Sequence, residues 1–269
     1  MDGLKCVIKK DIKEILRTGK MALFLILAFG IAFMILGFTV LFSNIPDSLT
    51  TELPGLDIES LESMMSTLYP KILSTSIGVF SYYIGFFFSM ITIIVSHAIL
   101  SKELATGKWH LPIQKGYSVK EFILSKCLTY GAFAGVSVFV SYIFYYIVAY
   151  TFMERDMSFG NAFISAIILG LDIAFILSYT ILMSVGFKNP IIGAISMIGT
   201  VMFVTELVRY FSFAKYLPTY ALNFVYDSRT DYIEVIWPIL LNVMLLVMTF
   251  VITVSRVEKR LGQAERNAS

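Results

Sequence analysis

Charge is what this sequence has least of. Its 269 residues include 21 lysines and arginines and 19 aspartates and glutamates, 15% of the chain, where soluble domains average about 25%. Two cysteines, Cys6 and Cys127, are too few for a disulfide framework. The two histidines, His97 and His110, stand apart, with no His-Glu-x-x-His or Cys-x-x-Cys near them, so no metal-site pattern is present. There is no G-x-x-x-x-G-K-[ST] loop to cradle nucleotide phosphates and no G-x-S-x-G elbow to present a nucleophile. The chain therefore reads as a non-enzyme that holds no cofactor of its own. With a net charge of +2, no nucleic-acid partner is expected.

What is abundant is apolar. Hydrophobic residues make up 57% of the chain and the mean hydropathy is +0.79. A membrane-spanning helix needs about 20 apolar residues, and six runs qualify: 21–43, 73–100, 127–152, 161–187, 190–211 and 234–255. The segments between them, the longest being 44–72, 101–126 and 212–233, fall short of the roughly 40–60 residues a small soluble domain needs. The expected fold is an all-α integral membrane protein in which 21–255 forms a six-helix transmembrane domain. The first run is about twice the length of a signal-peptide core. No small-x-small cleavage site follows it in Phe42-Ser43-Asn44-Ile45, so it reads as a retained span.

Lysine and arginine set the orientation. With six spans, both termini share a side with 101–126 and with Lys188. That side carries sixteen of the basic residues, among them Lys5, Lys9, Lys10, Lys13, Lys102, Lys108, Lys120, Lys126, Arg256 and Arg260. The other side carries five, Lys71, Arg155, Arg209, Lys215 and Arg229, and the acidic stretch Asp47, Glu52, Asp57, Glu59 and Glu62. The positive-inside rule then places both termini, including the tail 256–269, in the cytoplasm of a multi-pass plasma-membrane protein.

Three local patterns shape the cytoplasmic face. Over 4–17, Leu4, Val7, Ile8, Ile12, Ile15 and Leu16 gather on one side of a helix and Lys9, Lys10, Lys13 and Arg17 on the other. This makes 1–20 an amphipathic helix suited to the membrane interface, with Gly19 turning the chain into the first span. Helical pattern runs on from the second span through Thr106 to Gly107, a residue suited to a left-handed helix stop. An unbroken helix of that length would reach roughly 51 Å, well beyond the hydrocarbon. After Pro112 and Gly116, Ser118-Val119-Lys120-Glu121 fits a capping box, from which a helix leads directly into the third span. Residues 101–126 therefore form a helical hairpin whose arms continue membrane spans.

Inside the spans, Asp172 is the clearest buried ionisable group. An intramembrane acid suggests a proton or cation site, against the simpler reading of a structural acid bonded within the bundle. Gly131 and Gly135 form a G-x-x-x-G pair better suited to internal packing than to a dimer contact. Gly193, Ser196 and Thr200 make a similar small-residue stripe. Tyr82-Tyr83-Ile84-Gly85-Phe86-Phe87-Phe88 is the densest aromatic run. Short apolar helices near the outer interface suit 212–233.

The interfacial helix, the six spans and the hairpin with Glu103, Gly107, Leu111, Glu121 and Lys126 resemble the membrane permease subunit of type-2 ATP-binding-cassette (ABC) exporters, over nearly the whole chain. The resemblance implies a bacterial export subunit driven by two copies of a separate ABC ATPase, where ATP and Mg would bind. It implies a second permease chain, identical or related. Lys102, Glu103, Thr106, Gly107, Lys108, Ser118 and Glu121 would be contacts that couple to the ATPase. The cargo would be apolar or amphipathic (peptide, lipid or drug) and would pass near Tyr82, Phe86, Asp172, Ser196 and Thr200. The alternatives are a stand-alone secondary transporter or channel, and a membrane sensor or assembly protein.

Overall fold

A computed structural model describes residues 2–43, 72–107, 113, 116–187, 190–201, 207, 211, 213, 216–217, 220–227 and 231–268. Among these, every element is helical: α1 (Asp2–Arg17), α2 (Lys20–Ser43), α3 (Leu73–Tyr83), a π-helical turn (Ile84–Phe88), α4 (Ser89–Ser96), α5 (Ile99–Ala105), α6 (Val119–Phe152), α7 (Phe159–Gly186), α8 (Pro190–Gly199), α9 (Tyr220–Tyr226) and α10 (Ile233–Ala268). Five stretches are long and apolar enough to cross a membrane: Lys20–Thr39, Leu73–Leu104, Val119–Phe152, Phe159–Val185 and Ile233–Lys259. This is the fold of a helical membrane protein. Of the expected run 190–211, α8 covers ten residues, and 202–206 and 208–210 lie outside the described residues. The expected apolar helix within 212–233 is α9, with Tyr220 to Val225 all buried.

Helix α6 is the central post. Its N-terminus is fixed by the expected capping box: Glu121 N donates to Ser118 Oγ (3.2 Å) and Ser118 N to Glu121 Oε2 (3.0 Å). At 34 residues it measures roughly 51 Å, longer than the roughly 30 Å apolar core of a bilayer. Along one side it pairs antiparallel with α7. Ser178 Oγ reaches Cys127 O (3.4 Å), Gly131 faces Ala174 and Gly135 faces Gly170. A Cβ at Gly135 would stand 2.5 Å from Gly170 O. The G-x-x-x-G stripe therefore serves internal packing, bringing two backbones together where lipid gives helices no hydrophobic drive to associate. On other sides, Ser141 Oγ donates to Ala28 O of α2 (2.9 Å), and Tyr145 stacks on Phe80 of α3 with centroids 4.2 Å apart.

The second span differs from expectation. It is not one unbroken helix to Thr106. The π turn widens it at Ile84–Phe88, and a turn at His97–Ala98 separates α4 from α5. At the π turn, a Cβ on Gly85 would lie 1.9 Å from the Tyr226 hydroxyl. Only glycine lets α9 sit that close, and a π turn is a recognised way for a helix to absorb such a local demand. At the second break, His97 Nδ1 turns back to Ile94 O (2.5 Å) and Ala98 sits at φ −94°, ψ −2°. Beyond it, α5 ends where expected, at Gly107 with φ 69°. Gly19, with φ 70°, supplies the expected turn between α1 and α2.

Adding a side chain at the α6–α7 crossing should be costly. Gly135→Val is expected to destabilise the protein by about 1–3 kcal/mol through overpacking. Gly30→Ala, with nothing within 4 Å of its Cβ position, should be neutral. Thermal unfolding of both variants in detergent measures the difference.

Candidate functional site

Lys126 lies in the second turn of α6 and is 0% exposed. Three carboxylates converge on its ammonium: Glu103 Oε1 at 2.7 Å, Asp11 Oδ1 at 2.9 Å and Glu14 Oε2 at 3.4 Å. The acids come from two separate stretches of chain, α1 and α5, so one side chain on α6 holds three elements at one end of the bundle. Ser125 Oγ also donates to Asp11 Oδ2. The Phe122 and Tyr130 rings flank the ammonium, with centroids at 6.0 and 5.7 Å. Residues four apart share a helix face, which puts Phe122, Lys126 and Tyr130 in one row.

Helix α1 supplies its acids by the same spacing. Val7, Asp11 and Ile15 form the buried stripe, while Lys5, Lys9, Lys13 and Arg17 form an exposed one. The helix lies along the start of α6. A Cβ on Gly3 would stand 2.9 Å from the Glu121 carboxylate. Further along, Lys10 stands over the Phe122 ring at 5.9 Å. A hydrogen bond to Cys6 holds the Tyr117 phenol above its ordinary range. Lys20, at the start of α2, donates to Tyr130 OH at 3.1 Å and brings a second positive charge near the three acids.

Lys126, Asp11 and Glu103 are buried and Glu14 is partly exposed. Taking charges out of water is expensive, and mutual attraction offsets that cost only with close geometry and further hydrogen bonds. Here the geometry is close, yet Glu103 Oε2 is buried without a hydrogen-bond partner. Such a cluster adds less to net stability than to specificity: it is satisfied in one arrangement of α1, α5 and α6.

The residues expected to face an ATPase fall into two groups. Lys102 and Thr106 are exposed at the end of α5, next to Gly107, with Thr106 Oγ1 bonded to Lys102 O at 2.8 Å. Ser118 and Glu121 are occupied with each other in the capping box. Glu103 is turned inward, 8% exposed, and belongs to the ion cluster. Lys108 lies outside the described residues. Asp11 and Glu14 were not among the sequence-derived candidates, and Lys126 was named only as a residue of the hairpin pattern. The signal that could have found them is an acid inside the apolar stripe of a basic helix.

The residues expected along a substrate path occupy three settings. Tyr82 stacks on Phe86 with centroids 6.1 Å apart and meets Tyr226 edge-on at 5.4 Å, all beside the π turn. Asp172 is buried between α7 and α10, accepting from Asn242 Nδ2 at 3.2 Å, and Tyr179 OH donates to Asn242 O at 2.8 Å. This polar bridge ties α7 to α10. Ser196 Oγ donates to Gly193 O (2.8 Å) and Thr200 Oγ1 to Ser196 O (2.9 Å), both within their own helix.

No protein-family model, no curated protein and no solved structure matches this chain.

Replacing Lys126 leaves three acids facing one another in a buried site. Lys126→Met is expected to destabilise the protein by about 3–5 kcal/mol, whereas Lys102→Met, at an exposed position, should change stability little. Melting temperature and the fraction recovered as a monodisperse peak check both. For the second polar site, Asp172→Asn preserves an acceptor for Asn242 and should leave stability near that of the parent, whereas Asp172→Leu should lower the melting temperature.

Proposed function

We propose that this chain is the membrane permease subunit of an ATP-driven ABC exporter of the second type, working with two copies of a separate ATPase and a second permease chain to move apolar or amphipathic cargo. The observation that carries this reading is the Lys126 cluster. It joins an amphipathic surface helix, the end of the second span and the start of the third into one unit at one end of the bundle. A soluble ATPase pushing on that end would move α1, α5 and α6 together, and the length of α6 would deliver the motion to the membrane interior. That is a two-state element biased by a ligand on a partner.

A sixth crossing is part of the proposal. Helix α7 runs from the loop after Phe152 back toward the Lys126 end, and Gly193 of α8 packs on Met183 and Ser184 near its finish. Beyond α9, Tyr232 lies at the other end, where its OH donates to Asn161 O at 3.1 Å. The stretch 190–219 therefore begins near one end of the bundle and is followed by contacts at the other, which supports a span in that stretch. With six spans, the basic α1 and the end of α10 share the cytoplasmic side.

The test is purification of this chain with its native partners, followed by reconstitution with any P-loop ATPase that co-purifies. Glu103→Gln keeps an acceptor for Lys126 and leaves Asp11 and Glu14 paired with it, which separates coupling from folding. It is expected to lower cargo-stimulated ATP hydrolysis at least tenfold with a melting temperature near that of the parent. Failure of any ATPase to co-purify, or full stimulation in Glu103→Gln, would count against the proposal.

A further inference from the structure

At the end of the bundle opposite Lys126, the loop 153–158 is fixed from three sides. Leu73 N donates to Glu154 O (3.1 Å), Ser74 N to Asp156 Oδ1 (2.9 Å) with Ser74 Oγ bonded to Asp156 Oδ2, and Tyr146 OH to Met157 O (3.0 Å). Beside this loop is an open cavity of about 500 Å³, lined in part by Tyr146, Tyr150, Arg155, Asp156 and Phe159. That volume lies within the roughly 300–1,000 Å³ typical of small-ligand sites. The Arg155 guanidinium stacks over the Tyr150 ring at 4.4 Å. Both oxygens of its neighbour Asp156 are bonded to Ser74, and every ion pair among the described residues is made by Lys126. Arg155 thus brings an exposed guanidinium with a fork of donors, in no ion pair with a described residue, to an aromatic-walled cavity, with the Glu154 and Asp156 carboxylates as its chain neighbours.

From Phe159 in the cavity wall, a row of rings leads along the groove between α6 and α7. Tyr146 meets Phe159 at 5.8 Å, Phe159 meets Phe163 at 6.1 Å, and Phe163 meets Phe139 at 5.4 Å. Phe159 and Phe163 are 54% and 41% exposed, on the surface that faces lipid in a membrane-embedded chain. One end of this feature suits a phosphate, because a planar guanidinium bonds phosphate oxygens in pairs. The rest suits a hydrocarbon chain, with aromatic side chains placed at the level of the headgroup.

We propose that this cavity and groove form a specific site for an anionic phospholipid, its phosphate on Arg155 and an acyl chain along Phe159, Phe163 and Phe139. The site stands apart from any transport role, because nothing in it involves α1, α5 or the Lys126 cluster. An inorganic phosphate shares the charge but has nothing to lay in the groove.

The test is native mass spectrometry of the full chain in detergent, titrated separately with phosphatidylglycerol, phosphatidylcholine and inorganic phosphate. The expected result is saturable binding of one phosphatidylglycerol per chain at this site, with phosphatidylcholine weaker. Arg155→Gln should reduce that binding about tenfold, Arg155→Lys less, and Phe163→Ala should weaken it with Arg155 intact. Melting temperatures matching the parent establish that the Arg155 variants fold. Equal phosphatidylglycerol binding by parent and Arg155→Gln overturns the site, and inorganic phosphate competing as well as the lipid overturns the lipid assignment.

Discussion

One ammonium group fixes how the surface helix of this protein meets its membrane helices. Lys126 sits eight residues into a 34-residue helix of the bundle, fully buried, and it can be so only because Asp11, Glu14 and Glu103 surround it. Removed from water, a lone lysine would either neutralise or pull its helix back toward solvent. Held by three acids, it instead sets the depth of α6, and with it the positions of α1 and α5. Everything built on α6 inherits that placement: the backbone crossing with α7 at Gly135 and Gly170, the Tyr145 stack on α3 and the α2 contact at Ser141.

Much of this architecture is legible in the residues because membrane spans are set by composition alone. Runs of apolar residues near 20 long mark α2, α6, α7 and α10 with little ambiguity. Helix punctuation was also readable: Gly19 and Gly107 adopt the left-handed conformation their positions suggested, and Ser118 and Glu121 close the capping box. These features depend on neighbours in sequence, which a reader of the sequence already has.

The features that were not legible depend on neighbours in space. The second span reads as one continuous helix, because Ile84–Phe88 and His97–Ala98 contain nothing that breaks a helix by itself. The π turn reflects the Tyr226 hydroxyl lying against Gly85, a meeting of residues 141 positions apart. Glu103 reads as a surface acid at a helix end; burial follows from Lys126, which is close in space and 23 positions away. Asp172 reads as an isolated charge because its partner, Asn242, lies 70 positions on and is itself uncharged. A polar group in a span has no visible partner until the packing of helices supplies one.

The composition of the ion cluster has a bearing on how the chain is made. Proteins emerge from the ribosome N-terminus first, so Asp11 and Glu14 are synthesised before Glu103, and all three before the lysine on which they converge. Until residue 126 is out, Asp11 on the apolar stripe of α1 lacks the cation it pairs with on α6. The buried contact between those two helices therefore cannot close before the start of α6 exists.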